Sequence, residues 1–314
     1  VCSSDLYSSK DFSSVIVHFL NSRKIRFINK YIDKKLPIYW IIWGNDLYNK
    51  LLYPKGFELY DTQSSYYKKY KKSFFSDAFN KIINNLKTIK IEKFISKRIS
   101  YIVTDTTEND YEMLLKYYPK LKHIPWKEFF YYPIDSVLSE ELMQKWVDGN
   151  NIQIGNSASI TNNHEYAMRP LSKLNLDNKK IYVPLSYSGT KEYRESVKSK
   201  GLEYFEDKFI ALEDFLPLEE YNRLMLSFSV AIYGNFRQEA VGNILISLYL
   251  GAKVFLPENN PVYFWAKKLN LIIFALESIS QKDIEEKLDI SSRNHNRNII
   301  LNKGEVMYNN RKNK

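Results

Sequence analysis

The sequence predicts an α/β protein whose parallel strands are covered by helices. Short apolar runs rich in β-branched residues alternate along the chain with stretches of helical period. The length of 314 residues is enough for two domains, since a domain typically has about 150 residues. With 44% hydrophobic and 26% charged residues, the composition is that of a globular protein.

The first half of the chain contains one series of alternating strands and helices. Apolar runs predict strands at residues 15–19, 38–42 and 100–103. Helical spacing of apolar residues predicts helices at residues 23–35, 77–98 and 108–117. Because strands and helices alternate, we expect a mainly parallel sheet in this half.

The polar stretch 148–151 is the predicted linker, after which the alternation starts again. We therefore expect a first domain over 7–148, a second over 151–290 and a polar, basic tail over 291–314. The second domain has predicted strands at 152–154, 180–185, 230–233 and 253–256, and predicted helices that begin near 162, 191, 217 and 239. Two Rossmann-like halves are the resulting prediction.

The charge of the chain narrows the class of partner. The sequence has 46 Lys and Arg against 36 Asp and Glu, a formal net charge of +10. This balance favours polyanions, which include nucleic acid, phosphorylated ligands and an anionic bilayer surface. The single cysteine excludes an internal disulfide and fits a reducing compartment. No uncharged apolar run approaches the roughly 18 residues of a membrane-spanning helix.

Residues 1–6 are what an adapter-like nucleotide string would encode. We expect this segment, including Cys2, to be a sequencing artefact, and it is left out of the fold prediction.

Loops after the predicted strands of the second domain carry the candidate ligand-binding residues. In open parallel sheets, ligands bind at the carboxyl ends of strands, where backbone amides can receive an anion. Gly155, Asn156 and Ser157 follow the first of these strands, and small residues allow close backbone approach. A plain strand-to-helix turn is the alternative interpretation. Ser186 and Tyr187, after the next strand, could supply a hydroxyl and an aromatic face.

A second loop, residues 236–243, follows the strand at 230–233 and opens a helix. Arg237 at a positive helix end would suit a diphosphate, with further contributions from the loop residues Gln238, Gly242 and Asn243. The alternative is that Arg237 is solvated or pairs with Glu239.

In the first domain, a turn carrying large aromatic residues and an acid follows the strand at 38–42. Aromatic faces and carboxylates are typical of sugar sites, which makes Trp43, Gly44, Asp46 and Tyr48 candidates for binding a sugar. His18, on the neighbouring strand, could reach the same edge, although a lone strand histidine is more often a satisfied core residue. No His, Cys, Asp or Glu cluster has metal-ligand spacing.

Residues 66–75 interleave bases with aromatic residues. Such a stretch can bind an anionic lipid surface or a nucleic acid, and a solvated loop is the third interpretation.

Five stretches, at residues 38–48, 152–171, 181–205, 237–243 and 251–265, resemble in order and spacing the TDP-N-acetylfucosamine:lipid II N-acetylfucosaminyltransferases of glycosyltransferase family 56. The resemblance extends from about residue 15 to residue 275 and implies a GT-B fold, with two Rossmann-like domains facing a cleft. It places the nucleotide-sugar donor in the second domain, with His164 at the start of a helix there, and the acceptor in the first. Family members begin with additional β and α elements, so an incomplete first domain is expected.

The implied reaction is a hexosyl transfer without metal or other cofactor. It would move 4-acetamido-4,6-dideoxy-galactose, or a similar deoxy-amino sugar, from a dTDP-sugar to an undecaprenyl-diphosphate-linked saccharide in surface polysaccharide synthesis. We expect Asp46, and after it His18, as general base, because both are titratable groups at strand ends. A lipid-linked acceptor implies a peripheral location on the cytoplasmic face of the bacterial inner membrane.

Two other functions remain open from the sequence. One is a related GT-B enzyme such as a nucleotide-sugar 2-epimerase. The other is a non-catalytic basic module that binds membrane or nucleic acid, although a nucleic-acid-binding signature is absent and nucleic acid is not an expected partner.

Overall fold

The computed structural model describes residues 12–74, 78–105, 108–129 and 133–312. These residues form two compact units. Unit 1 comprises residues 12–58 and 78–129, and unit 2 comprises residues 59–74 and 133–312. The suspected artefact at residues 1–6 lies outside the described residues.

The strands are β1 Val15–His18, β2 Ile38–Ile42, β3 Tyr101–Asp105, β4 Trp126–Phe129, β5 Asn151–Ile154, β6 Ile181–Pro184, β7 Phe209–Leu212, β8 Phe228–Ile232, β9 Lys253–Leu256 and β10 Phe274–Ala275. The α-helices are α1 Ser22–Tyr31, α2 Ser65–Phe74, α3 Ala78–Arg98, α4 Glu108–Tyr117, α5 Glu140–Met143, α6 His164–Leu171, α7 Lys191–Phe205, α8 Leu218–Met225, α9 Val241–Leu250, α10 Pro261–Lys268, α11 Gln281–Glu285 and α12 Ile290–Lys312. Within the described ranges, no helix combines the length and the apolar character needed to cross a membrane.

Unit 1 contains a parallel sheet in the order β1-β2-β3-β4. Its central strand β2 is almost wholly buried because Ile38, Trp40 and Ile42 pack into the core. The sequence analysis missed β4, whose half-polar sequence and largely exposed residues lack the apolar run that marked the other strands.

Unit 2 contains a six-stranded parallel sheet in the order β10-β9-β8-β5-β6-β7. This is the Rossmann order, in which the direction of strand addition reverses between β5 and β8. The core is built from fully buried strand residues such as Ile152, Val183 and Ile232. Neither β7, whose residues are all only half-buried, nor the two-residue β10 was predicted.

The division into units differs from the predicted boundary at residues 148–151. That stretch is a packed turn: the amides of Asp148 and Gly149 donate to the Leu226 carbonyl at 3.1 and 3.2 Å. Residues on both sides of it belong to unit 2. The expected separate tail also belongs there, since the Arg297 guanidinium of α12 lies 3.3 Å from the Trp146 ring centroid.

The segment 59–74, expected in the first domain, is part of unit 2. Asn163 accepts from the Asp61 amide at 3.0 Å and donates to the Leu59 carbonyl at 3.4 Å. Asp61 also forms an ion pair with Arg169. The Glu165 carboxylate accepts a hydrogen bond from the Ser65 amide at 2.7 Å, at the first turn of α2.

Candidate functional site

The loop after β5 is held in a tight left-handed turn. Gly155 has φ +72°, and a Cβ there would lie 2.8 Å from both Asn162 Oδ1 and His164 Nε2. Asn162 fixes the loop by accepting from the Asn156 amide at 2.9 Å and donating to Ser157 Oγ at 3.2 Å. Glycine is therefore required at position 155 both by conformation and by space. Asn162, which is fully buried, was not among the predicted binding residues.

His164, at the first position of α6, is fully buried and faces this turn. Its Nδ1 lies 3.0 Å from the Tyr193 hydroxyl. Burial lowers the pKa of His164 to about 3, so the ring is neutral at physiological pH. Its Nε2 has no hydrogen-bond partner among the described residues.

Arg237 lies in the turn after β8 and is 6% exposed. Its Nη2 is 3.1 Å from Glu239 Oε1 and 3.2 Å from Thr161 Oγ1, and its Nη1 donates to the Gln238 carbonyl at 3.0 Å. The pairing with Glu239 is the alternative that the sequence left open. The helix that Arg237 precedes begins slightly later than the predicted position near 239, because α9 starts at Val241, after Ala240 at φ +61°.

Three residues that the sequence analysis did not select join the loops after β5 and β8. Glu239 Oε2 accepts from Thr161 Oγ1 at 2.6 Å and from Asn235 Nδ2 at 2.7 Å. Asn235 also donates to the Thr161 carbonyl at 3.2 Å. This network fixes Arg237 against the segment that follows the Gly155 turn.

Several buried polar atoms around these two loops lack a hydrogen-bond partner among the described residues. They are Asn156 Oδ1, His164 Nε2, Asn235 Oδ1 and Arg237 Nε. A buried polar group without a partner costs about 1–3 kcal/mol, so a cluster of them marks a place where a polar ligand would be stabilising.

A cavity of about 200 Å³ lies beside the same loops. Four of the predicted donor-binding residues line it, namely Asn156, Ser186, Tyr187 and Asn243. Asn156 Nδ2 donates to the Tyr187 hydroxyl at 3.1 Å, and the pKa of Tyr187 is raised, mainly by burial and then by the charge of Glu239. Phe215, which is 78% exposed, adds an aromatic face that the sequence analysis missed.

The other two predicted donor-binding residues contribute less specific chemistry. Gln238 contributes its backbone carbonyl, which accepts a hydrogen bond from Arg237 Nη1. Gly242 lies in the first turn of α9, and no atom lies within 4 Å of where a Cβ would stand. Nothing in the packing requires glycine at position 242.

In unit 1, Asp46 is 1% exposed and accepts three hydrogen bonds. Its Oδ2 accepts from the Leu20 amide at 2.9 Å and from Trp40 Nε1 at 2.8 Å, and its Oδ1 accepts from the Trp43 amide at 2.9 Å. Burial raises the pKa of Asp46, opposed by these donors. Asp46 thus joins the end of β2 to the loop after β1.

His18, at the end of β1, is exposed, and its Nδ1 accepts from Trp43 Nε1 at 3.1 Å. In the neutral ring this places the proton on Nε2. His18 is thus a hydrogen-bond donor in this geometry, and it can act as a base only after the contact with Trp43 changes.

The remaining predicted acceptor residues shape the turn. Gly44 has φ +76° and caps a π-helix over Asn45–Leu52, where the sequence analysis expected only a turn. Tyr48 is fully buried, and its hydroxyl donates to Asp110 Oδ1 at 2.5 Å. The expectation that Tyr48 faces a ligand is therefore wrong for this structure, because its apolar ring fills the core.

The basic aromatic stretch is a helix for most of its length. Residues 65–74 form α2, while Phe75 lies outside the described residues. Tyr67 is 5% exposed, and the Tyr66 ring packs edge-on against Tyr193 at 5.0 Å. The Tyr66 and Tyr67 rings therefore pack within unit 2. Among residues 66–70, whose burial is described, Lys68 and Lys69 are the exposed ones.

A model of the family described as 4-alpha-L-fucosyltransferase, glycosyl transferase group 56, matches residues 89–300. The chain belongs to this family. The resemblance predicted from the loop motifs is thereby confirmed at the level of the family.

Several solved structures resemble the fold of this chain, although their sequence identity to it is low. The UDP-forming α,α-trehalose-phosphate synthase of Burkholderia vietnamiensis has a TM-score of 0.59 at 9% identity, covering 93% of this chain and 70% of that one. Anabaena HepE in complex with UDP-glucose has a TM-score of 0.54 at 10% identity, covering 91% and 76%. The α,α-trehalose 6-phosphate synthase of Burkholderia multivorans has a TM-score of 0.56 at 10% identity, covering 93% and 66%.

The chain thus spans about two thirds of the length of that last enzyme. At these identities the likeness concerns the fold, and it confirms the predicted GT-B class with parallel α/β sheets.

Proposed function

We propose that this group 56 protein is a hexosyltransferase that takes its sugar from a nucleoside diphosphate donor held by unit 2. The donor would be a dTDP-linked deoxy-amino sugar such as 4-acetamido-4,6-dideoxy-galactose. The acceptor would be an undecaprenyl-diphosphate-linked saccharide in surface polysaccharide synthesis. The family match supports sugar transfer, and the donor and acceptor rest on the resemblance of the loop motifs.

The observation that carries the proposal is the cluster of unpartnered polar atoms at the point where the Rossmann order reverses. Arg237 Nε, which has no hydrogen-bond partner among the described residues, would donate to the diphosphate oxygens. His164 would donate through Nε2 when Nδ1 accepts from the Tyr193 hydroxyl. These fixed donors stabilise the negative charge that grows on the leaving diphosphate, so they bear on rate as well as affinity.

Metal independence is part of the same proposal. The guanidinium and the neutral donors around the Gly155 turn would do the work of a cation at the leaving group.

The nucleobase would occupy the cavity lined by Asn156, Ser186, Tyr187 and Asn243. The Tyr187 ring and the exposed Phe215 offer faces for stacking, and the Asn156 and Asn243 amides offer both donors and acceptors.

For the acceptor, unit 1 offers His18 and Trp43 at the end of its sheet. His18 would donate through Nε2 to an acceptor oxygen, and Asp46 would hold the turn on which Trp43 stands. The assignment of Asp46 or His18 as general base stays a prediction.

We further propose that the protein binds reversibly to an anionic membrane surface. Helix α1 has no acidic residue, and its Phe27 and Tyr31 are 54% and 52% exposed. Cations with exposed aromatic rings suit an anionic headgroup region better than the packed rings of α2. Flotation with phosphatidylglycerol vesicles at rising salt tests this, and no binding at low salt would remove the membrane proposal.

Thermal unfolding with a panel of dTDP-, UDP- and GDP-sugars tests the donor assignment. We expect selective stabilisation by one nucleotide, dTDP, because a ligand that binds only the folded state raises the midpoint. If none of the nucleotide sugars raised the unfolding midpoint, the proposal would be contradicted. Conversion of the donor without any acceptor would instead indicate a 2-epimerase.

A further inference from the structure

A second cavity, of about 620 Å³, lies wholly within unit 1. It opens beside the loop between β1 and α1, with Leu20, Trp40 and Leu51 among its apolar lining residues. The N-terminus of α1 contributes to its wall through Asn21, which caps the helix by accepting from the amides of Arg23 and Lys24.

Four cationic side chains line this cavity. Arg23 and Arg26 reach it from α1, Lys50 from the π-helix and Lys87 from α3. The described residues show no salt bridge to any of these four side chains. Clustered cations without counter-charges raise the local concentration of anions and favour a multiply charged one.

The one acid that lines the cavity, Asp46, forms no salt bridge with these cations among the described residues. The Asp46 carboxylate already accepts from Leu20, Trp40 and Trp43. Asn49 lines the cavity as well, and its buried Oδ1 has no hydrogen-bond partner among the described residues. The cavity therefore combines cations for an anion with a free acceptor for a hydroxyl group.

We propose that this cavity binds a glycosyl diphosphate, with the diphosphate on the four cations and a sugar hydroxyl on Asn49 Oδ1. Resting on the proposed function, the bound group would be the diphosphate and first sugar of the lipid-linked acceptor. Arg26 and Arg23 can each donate two parallel hydrogen bonds to phosphate oxygens, whereas Lys50 and Lys87 act as point charges. The site lies beside Trp43 and His18, since Asp46 both lines it and holds the turn of Trp43.

Hydrogen–deuterium exchange with inorganic pyrophosphate as the probe tests the site directly. We expect pyrophosphate to protect residues 20–27, and the double variant Arg26→Gln/Lys87→Gln to need about tenfold more of it, because each exposed charge contact is worth up to about 1 kcal/mol. The matched control is Lys93→Gln/Lys97→Gln, which removes two exposed lysines of α3 that do not line this cavity. It should behave as the wild type.

The outcomes are separable. No protection of residues 20–27 by pyrophosphate, or equal loss in the control, overturns the site. Protection of residues 20–27 by phosphatidylglycerol vesicles but not by pyrophosphate would show that this segment binds a lipid surface. That result would also overturn the proposed glycosyl diphosphate site. Failure of the proposed function would appear elsewhere, as absent protection of residues 155–164 by dTDP.

Steady-state kinetics supplies the second measurement. For the lipid-linked acceptor, we expect the KM of Arg26→Gln/Lys87→Gln to rise about tenfold, with the donor KM unchanged. A rise in the donor KM alone would show that these residues act in donor binding and not in acceptor binding, which would contradict the proposal.

Discussion

Arg237 Nη2 lies 3.1 Å from Glu239 Oε1, and both side chains are largely buried. Glu239 also accepts from Thr161 and Asn235, so its carboxylate does not depend on Arg237 alone. In the proposed donor complex, the diphosphate would therefore share the guanidinium with a fixed carboxylate. The Nε atom, which has no hydrogen-bond partner in the part of the chain that the structure describes, would be the donor available to it.

The substitution Glu239→Gln tests this sharing. It removes the negative charge beside Arg237 but keeps an amide that can hydrogen-bond, so we expect dTDP to bind more tightly, by a few-fold. The free energy of unfolding without ligand should fall by about 3 kcal/mol, because the guanidinium stays buried without its ion pair. Titration calorimetry and urea denaturation check the two effects, and weaker dTDP binding would show that Glu239 itself contacts the donor.

The substitution Gly155→Ala tests the left-handed turn. The new Cβ would lie 2.8 Å from Asn162 Oδ1 and His164 Nε2 at a φ of +72°, so we expect a loss of about 1–3 kcal/mol in unfolding free energy. Gly242→Ala is the matched control, since its Cβ would meet no atom within 4 Å, and we expect it to stabilise α9 by up to about 1 kcal/mol. Equal stability of both variants in urea would contradict this account of the turn.

The buried carboxyl of Asp46 gives a pH dependence with a definite sign. Because burial raises its pKa in the folded state, folding favours the protonated form at low pH. That contribution is lost as pH rises from the unfolded pKa of about 3.9 through the higher folded value. We therefore expect the wild type to lose stability relative to Asp46→Asn between pH 4 and pH 7, as measured by urea denaturation. A relative gain would mean that the three donors outweigh burial.

The contact between Trp43 and His18 predicts a tautomer. With Nδ1 accepting from Trp43 Nε1 at 3.1 Å, neutral His18 should carry its proton on Nε2, which ¹⁵N chemical shifts of the ring report. Trp43→Phe removes the donor and should allow both tautomers. If the wild type already shows the Nδ1-protonated form, His18 is poised as a base and the donor role is wrong.

Local patterns in the sequence were enough to predict the elements that place the site. The runs that became β6 and β8 are mostly apolar, and β5 carries Ile152 and Ile154 in alternation with polar residues. Each run is followed by a loop of small or polar residues. One candidate residue that follows each of these three strands lines the same cavity in the structure, namely Asn156, Tyr187 and Asn243. The rule that ligands bind at the carboxyl ends of parallel strands made this possible.

Residues whose role depends on distant contacts could not be predicted in this way. Thr161 and Glu239 bind each other across 78 positions of sequence, and their partnership follows only from the pairing of β5 with β8. Tyr48 and Asp46 looked like surface residues of a turn, but the π-helix after Gly44 turns both into the core.

Binding of dTDP, compared with binding of thymidine, tests the central claim most directly. In titration calorimetry of the wild type and of Arg237→Ala, the structure predicts that the variant loses at least tenfold in affinity for dTDP while thymidine binds as before, because only the diphosphate would contact the guanidinium. Unchanged affinity of Arg237→Ala for dTDP would contradict the claim that this buried arginine holds the diphosphate.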